Sequence, residues 1–178
     1  RVKVRDAGLA RALENVKIVH ITDIHMTDGT GFRENQLVHK VNRLEPDLLF
    51  FTGDLIDDYS QLEPAIELFG RFKAKAGIYA VPGDTDRIVM DPAGMARAFA
   101  PAGVTFLNNE AKKVSLPGGG TVWIAGLAEA APGVETVGSV LAGVPENAPK
   151  IMLAPAPATF DAVAAFGVPL LLVGDTHG

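Results

Sequence analysis

Four stretches of the chain set acidic and imidazole side chains where they can do chemistry. Asp23-Ile24-His25 puts a carboxylate and an imidazole two residues apart at the end of an apolar run. Gly53-Asp54 is followed by Asp57, Gly83-Asp84 by Asp86, and Gly174-Asp175 by His177. Carboxylates gathered without cations repel one another, and some are then forced to hold protons. Two or more Asp with His make instead a ligand set for a divalent metal, and an oxygen-rich set without thiolates suits Mn²⁺, Mg²⁺ or Ca²⁺. Each cluster taken singly has a plainer reading. Asp-x-His is also a polar strand end, and Asp28, Asp57 and Asp58 are of a type that forms ordinary turns.

Bringing such groups together requires strands that end side by side. Residues 16–21 are rich in β-branched side chains and read as a buried strand that ends at Asp23 and His25. Residues 34–44 carry Leu37, Val38, Val41 and Leu44 at helical spacing, and Pro46 stops the helix. The spacing continues with strands over 48–52 and 77–81 and helices over 62–72 and 92–100. Strand–helix repeats of this kind predict a parallel, doubly wound arrangement. Strands are then expected at 104–107, 112–116 and 121–126, the last two joined as a hairpin through Pro117-Gly118-Gly119-Gly120. A helix near 134–141, a strand at 150–153, a helix at 158–166 and a strand at 169–173 complete the pattern. Residues 1–5 read as a short edge strand, residues 6–14 as a connector, and residues 26–33 and 82–86 as loops. In open α/β sheets ligands gather where strands end. His20, inside its strand, reads as a hydrogen-bonded core residue, His39 as a solvated helix residue, and Phe50-Phe51 as core.

Composition narrows the function classes. With 178 residues, 48% hydrophobic and 21% charged, the chain supports a folded domain with a sizeable core. A net charge of -5 without a Lys/Arg-rich run gives a nucleic-acid backbone no footing. The absence of cysteine excludes disulfides, thiolate metal sites and a Cys nucleophile. No apolar run approaches the ~18 residues of a membrane span. Ser60, Ser115 and Ser139 lie outside any G-x-S-x-G elbow, and no Gly-rich phosphate cradle is present.

In order and spacing the motifs resemble those of the calcineurin-like metallophosphoesterase family: D-x-H, G-D-x-x-D, G-N-H-D/E, a later H-x-P and G-H-T-H. Here they read Asp23-Ile24-His25, Gly53-Asp54-Leu55-Ile56-Asp57, Gly83-Asp84-Thr85-Asp86, Pro155-Ala156-Pro157 and Gly174-Asp175-Thr176-His177. Two motifs match in full and three in part. The resemblance implies an α/β four-layer sandwich of two mixed β-sheets flanked by helices. It also implies hydrolysis of a phosphate ester or pyrophosphate bond, in which a metal-activated water attacks phosphorus in line.

Carried over residue by residue, the first metal falls to Asp23, His25, Asp54 and His177. The second falls to Asp54 with Asp84, Pro155 and Asp175. Pro155 has no donor, and Asp175 is shorter than the family's histidine. The expectation is therefore one tight divalent site, for Mn, Mg, Fe, Zn or Ca, and a second, weaker one. The family's leaving-group histidine falls on Thr85, whose hydroxyl is no acid near pH 7. The catalytic set carried over is Asp54, Asp84 and Asp86, and the cations that follow motifs, Arg33 and Arg87, are expected to meet the substrate phosphate. The added carboxylates of Asp84 and Asp175 would neutralise a doubly filled site and leave a singly filled one negative, which disfavours a phosphomonoester dianion unless those arginines compensate. The alternative expectation is a catalytically weak or inactive metal-binding homologue.

Family members with membrane segments before the first motif, some tied to envelope lipids, imply a lipid-linked pyrophosphate as one substrate besides a phosphorylated small molecule. They also imply a bacterial protein that is either membrane-associated, through a tether outside this chain, or cytoplasmic. Residues 1–178 are expected to be a single domain lacking N-terminal membrane or signal segments and C-terminal closing strands. A homodimer would cover the sheet edge so exposed.

Overall fold

A computed structural model describes residues 6–26 and 31–177. The strand expected at residues 1–5 and the turn residue Asp28 lie outside the described residues. The first sheet has the order β1 (Ile18–Ile21), β2 (Leu48–Thr52), β3 (Ile78–Val81) and β4 (Val104–Phe106), every neighbouring pair parallel. The second has the order β5 (Glu110–Ser115), β6 (Thr121–Gly126), β7 (Lys150–Ala154) and β8 (Leu171–Val173). There β5 and β6 are antiparallel, joined by the Gly-rich hairpin, and the rest is parallel. The expected two sheets flanked by helices are present, but only the second is mixed among the described residues. The physical reason is the connections: helical crossovers force parallel neighbours, whereas the tight 117–120 turn forces an antiparallel pair.

Strand periodicity sorts the core into layers. Leu49 and Phe51 of β2 face the helix side, where Phe51 meets Phe69 and Phe72 at centroid distances of 4.6 and 5.4 Å. That layer is closed by α2 (Phe32–Leu44), α3 (Leu62–Phe69) and α5 (Pro92–Phe99), which contribute Val38, Val41, Leu68 and Met95. Leu48 and Phe50 point the other way, onto Val122, Ile124, Ile151 and Leu153 of the second sheet. The outer face of that sheet packs Ala125 and Met152 on α6 (Val134–Leu141) and α7 (Phe160–Ala164) through Val137, Val140 and Val163. The result is helix, sheet, sheet, helix. His20 in β1 sits 2.7 Å from the Thr52 hydroxyl, and burial lowers its pKa.

Two helices replace expected irregular segments. The connector at 6–14 contains α1 (Ala7–Ala12), capped by Asp6, whose carboxylate accepts from the Leu9 N–H at 2.6 Å while Leu9 packs into the inter-sheet core. The loop at 82–86 turns at once into α4 (Asp84–Val89). Both are six residues long, too short to display a period, and their caps decide them.

Candidate metal centre

The carboxyl ends of β1, β2, β3 and β8 meet, and the backbone there is unusual. Asp23, His25, Asp54, Asp175 and His177 all have left-handed φ, at 54°, 43°, 51°, 71° and 55°. For a non-glycine residue that costs roughly 1–2 kcal/mol, and such residues collect at functional sites where surrounding structure holds them. The hold here is a ladder between motif loops. The Asp23 N–H donates to the Gly53 carbonyl at 3.2 Å, His25 to Asp54 at 3.0 Å and Met26 to Leu55 at 2.9 Å.

Two glycines permit the close approach. A Cβ on Gly83 would stand 2.2 Å from the Asp54 nitrogen, and one on Gly174 would stand 2.2 Å from the Thr52 carbonyl oxygen. Neither position can carry a side chain without parting the loops.

Asp23, His25 and His177 each offer a ligand atom within 4.8 Å of the other two. The His25 and His177 rings lie nearly parallel, 5.2 Å apart. Asp23 Oδ1 accepts the Asp175 N–H at 2.9 Å. Asp23 Oδ2 and His25 Nε2 are buried with no hydrogen-bond partner among the described residues. A buried polar atom left unsatisfied costs about 1–3 kcal/mol, and one Asp–His group here holds two of them. The donor set fits a divalent cation. The other His25 nitrogen, Nδ1, is 2.8 Å from Asp57 Oδ1. Burial alone would lower the His25 pKa, but the hydrogen bond and charge of Asp57, with the charges of Asp54 and Asp23, outweigh it and raise it.

The remaining expected site residues are arranged differently. Asp54 is buried at the rim of the group, and its Oδ1 accepts from both the backbone N–H and the hydroxyl of Thr85, each at 3.1 Å. Asp84, expected among the metal ligands and catalytic groups, is exposed and bound to Arg87 at 2.5 Å. Arg87, expected to meet substrate, spends its guanidinium on that carboxylate and on the Ala128 carbonyl at 2.8 Å. Asp175 is exposed and meets the group through its backbone. Pro155 is buried beside Gly174 and supplies only a carbonyl. Arg33 is exposed on the first turn of α2 and borders a groove that reaches Asp23.

Asp86 is the clearest correction. Expected as a catalytic carboxylate, it is completely buried, with Oδ1 accepting from Leu55 and Ile56 N–H at 2.9 and 3.0 Å and Oδ2 from Gly83 N–H at 2.8 Å. Burial raises its pKa, the three N–H groups pull it down, and the Asp54 charge adds to the rise. It ties the Asp54 loop to the Asp84 loop, with both oxygens engaged by backbone N–H groups. Asp57 is the converse. Expected as a turn former, it orients His25, and the signal that it would do so was its place in G-D-x-x-D.

The sequence of residues 16–178 matches the pattern of the calcineurin-like phosphoesterase family. A Danio rerio protein named transmembrane protein with metallophosphoesterase domain is 31% identical over 125 residues, 69% of this chain and 29% of that protein. Its Bos taurus namesake is 30% identical over 119 residues, 66% of this chain and 27% of that protein. An uncharacterized metallophosphoesterase, YkuE, of Bacillus subtilis (strain 168) is 25% identical over 179 residues, 98% of this chain and 63% of that protein. The chain thus spans less than two thirds of the length of these relatives. The family pattern runs from the start of the first core strand, through each of the loops that carry Asp23, Asp54 and His177, to the last residue, and the chain belongs to the calcineurin-like phosphoesterase family.

Proposed function

We propose that the chain hydrolyses a phosphate ester or pyrophosphate bond, lipid-linked substrates included, with one tightly held divalent ion and a second, weaker one. The observation that carries this reading is the pair of buried atoms Asp23 Oδ2 and His25 Nε2, without a hydrogen-bond partner among the described residues, in one group with His177. Asp23, His25 and His177 would hold the first ion, with Asp54 contributing the oxygen not engaged by Thr85. A divalent ion at such a site supplies Lewis acidity and an activated water nucleophile. The chain's own residues do the rest. Asp57 fixes which His25 nitrogen carries the proton, Asp86 sets the distance between two ligand loops, and Arg33 supplies positive charge for the phosphate, joined by Arg87 once it leaves Asp84. For Asp84 to serve a second ion it must leave Arg87, which supports a second site weaker than the first.

One observation favours the reading of a catalytically weak homologue. Thr85 stands where the family has its leaving-group imidazole, and its hydroxyl is committed to Asp54 at 3.1 Å. The relatives named as transmembrane proteins support a tether outside this chain and a membrane-associated protein. Among the described residues no helix is long and apolar enough to cross a membrane. A homodimer is part of the same proposal, since β8 is an edge strand of the second sheet among those residues.

Calorimetric titration of metal-free protein with Mn²⁺, paired with a panel of phosphomonoesters, phosphodiesters and pyrophosphates, tests the reading. The expected result is one tight step, lost in His25→Ala, and turnover of at least one ester class above the metal-only blank. A tight ion with no turnover on any class selects the weak homologue. Two equally tight ions contradict the occupancy.

A further inference from the structure

Beside the Asp–His group, between the end of β1 and the first turns of α2, lies a groove of about 680 Å³. That is within the ~300–1,000 Å³ of ordinary small-ligand sites. Its walls are mostly hydrocarbon, from Ile21, Ile24, Phe32 and Leu37, and Arg33 and Lys40 stand at its border. Asp23 lines it as well, so one residue of the Asp–His group borders the groove. Phosphate-bearing ligands that are polar throughout gain nothing from such walls. An ester whose alcohol is aliphatic does.

The exposed apolar side chains fit the same ligand. Phe32, Tyr59, Ile88 and Phe160 are between 63% and 84% exposed. Each belongs to a segment leaving a strand, β1, β2, β3 or β7 respectively, at the metal-bearing end of the sheets. Of these, Phe32 lines the groove itself. With Arg33 and Lys40 also lining that groove, its chemistry is that of a site for a phosphorylated amphiphile.

We infer that the β1–α2 groove is a subsite for the aliphatic portion of the substrate, so that the preferred substrate is a phosphate or pyrophosphate ester of a long-chain alcohol with its phosphorus at Asp23 and His177. This rests on the proposed phosphoesterase activity and adds the alcohol's chemical class to it.

The test is a chain-length series: methyl, butyl, hexyl and octyl phosphate, each below its micelle-forming concentration, with Mn²⁺-loaded protein. The matching alkylphosphonates, which have no ester bond to break, are titrated calorimetrically in parallel. Burying a methylene in the groove should tighten KM and Kd about three- to fourfold until the groove is full. Phe32→Ser removes a groove-lining side chain that is 81% exposed, and Gln36→Trp adds bulk at another lining position. Both should flatten the series, with circular dichroism and Tm confirming that each variant is folded. A flat series in the unaltered protein overturns the inference, as does a slope that neither variant changes. Chain-length-dependent phosphonate binding without turnover of these monoesters or of the diesters and pyrophosphates in the panel above supports the groove and overturns the phosphoesterase reading. Turnover without chain-length dependence does the reverse.

Discussion

Asp57 Oδ1 lies 2.8 Å from His25 Nδ1, while Nε2 of the same ring is buried without a hydrogen-bond partner among the described residues. A carboxylate at Nδ1 holds the proton there and leaves Nε2 with its lone pair toward the site, which is how second partners of metal-binding histidines raise ligand strength. The left-handed turn at His25 and the Asp58 cap that begins the next turn keep the two loops in this relation.

Removing that partner should weaken the ion more than the fold. Asp57→Ala is expected to lower Mn²⁺ affinity about 10–100-fold, and Asp57→Asn less, because the amide oxygen still accepts from Nδ1. Calorimetric titration compares the two, and the His25 Nδ1–H resonance should sharpen only where an acceptor remains. Equal affinity in all three proteins would mean that Asp57 does not orient the ring.

Asp84 and Arg87 neutralise each other at the mouth of the site. Asp84→Asn keeps the shape, removes one negative charge and releases the guanidinium toward incoming phosphate. The tight ion should bind as before, and inorganic phosphate should bind the Mn²⁺-loaded protein more tightly. A loss of ion affinity would instead place Asp84 among the ligands. Stability should barely move, because the pair is too exposed to contribute much.

Asp86→Asn is expected to destabilise the fold by about 1–3 kcal/mol, although it differs by one atom. Asp86 accepts on both oxygens, so an amide must aim its own N–H groups at the N–H of Gly83 or at those of Leu55 and Ile56. Urea unfolding reads the loss as a lower midpoint. An unchanged midpoint would show that the tie between the two loops does not hold the fold.

Asp47 supplies a pH-dependent contribution at the far end of the first sheet. Its carboxylate accepts the Lys17 N–H at 2.7 Å, and although burial opposes ionisation, the Lys75 ammonium at 3.3 Å helps hold its pKa below the ordinary value. A pKa lowered by folding means stability that is full above the ordinary carboxylate range, about pH 4, and lost as pH falls through the lower folded value. Asp47→Asn should therefore be less stable than the unaltered protein at pH 6, and the gap in urea midpoint should close below about pH 4. A gap independent of pH would assign the effect to shape alone.

Much of this molecule is legible in one dimension. The β-branched run before Asp23, the Leu-Leu-Phe-Phe strand and the Gly-rich hairpin specify their elements locally, because alternation and turn chemistry act over a few residues. The order of the Gly-Asp and Asp-x-His motifs likewise marks the ends of strands as the place for a metal. What only the tertiary structure decided is the work each carboxylate does. Asp54, Asp57, Asp84 and Asp86 are one residue type within two short motifs, yet one borders the ion group, one orients His25, one pairs with Arg87 on the surface and one is entombed between loops. Those fates follow from desolvation and from which groups a neighbour presents; for Asp54, Asp57 and Asp86 such neighbours lie some thirty residues away in sequence, while Asp84 pairs within its own helix. The helix at Asp84–Val89 shows the same limit: its capping contacts tie it to Gly83 and, through Asp86, to the Asp54 loop, and spacing alone carries no trace of them.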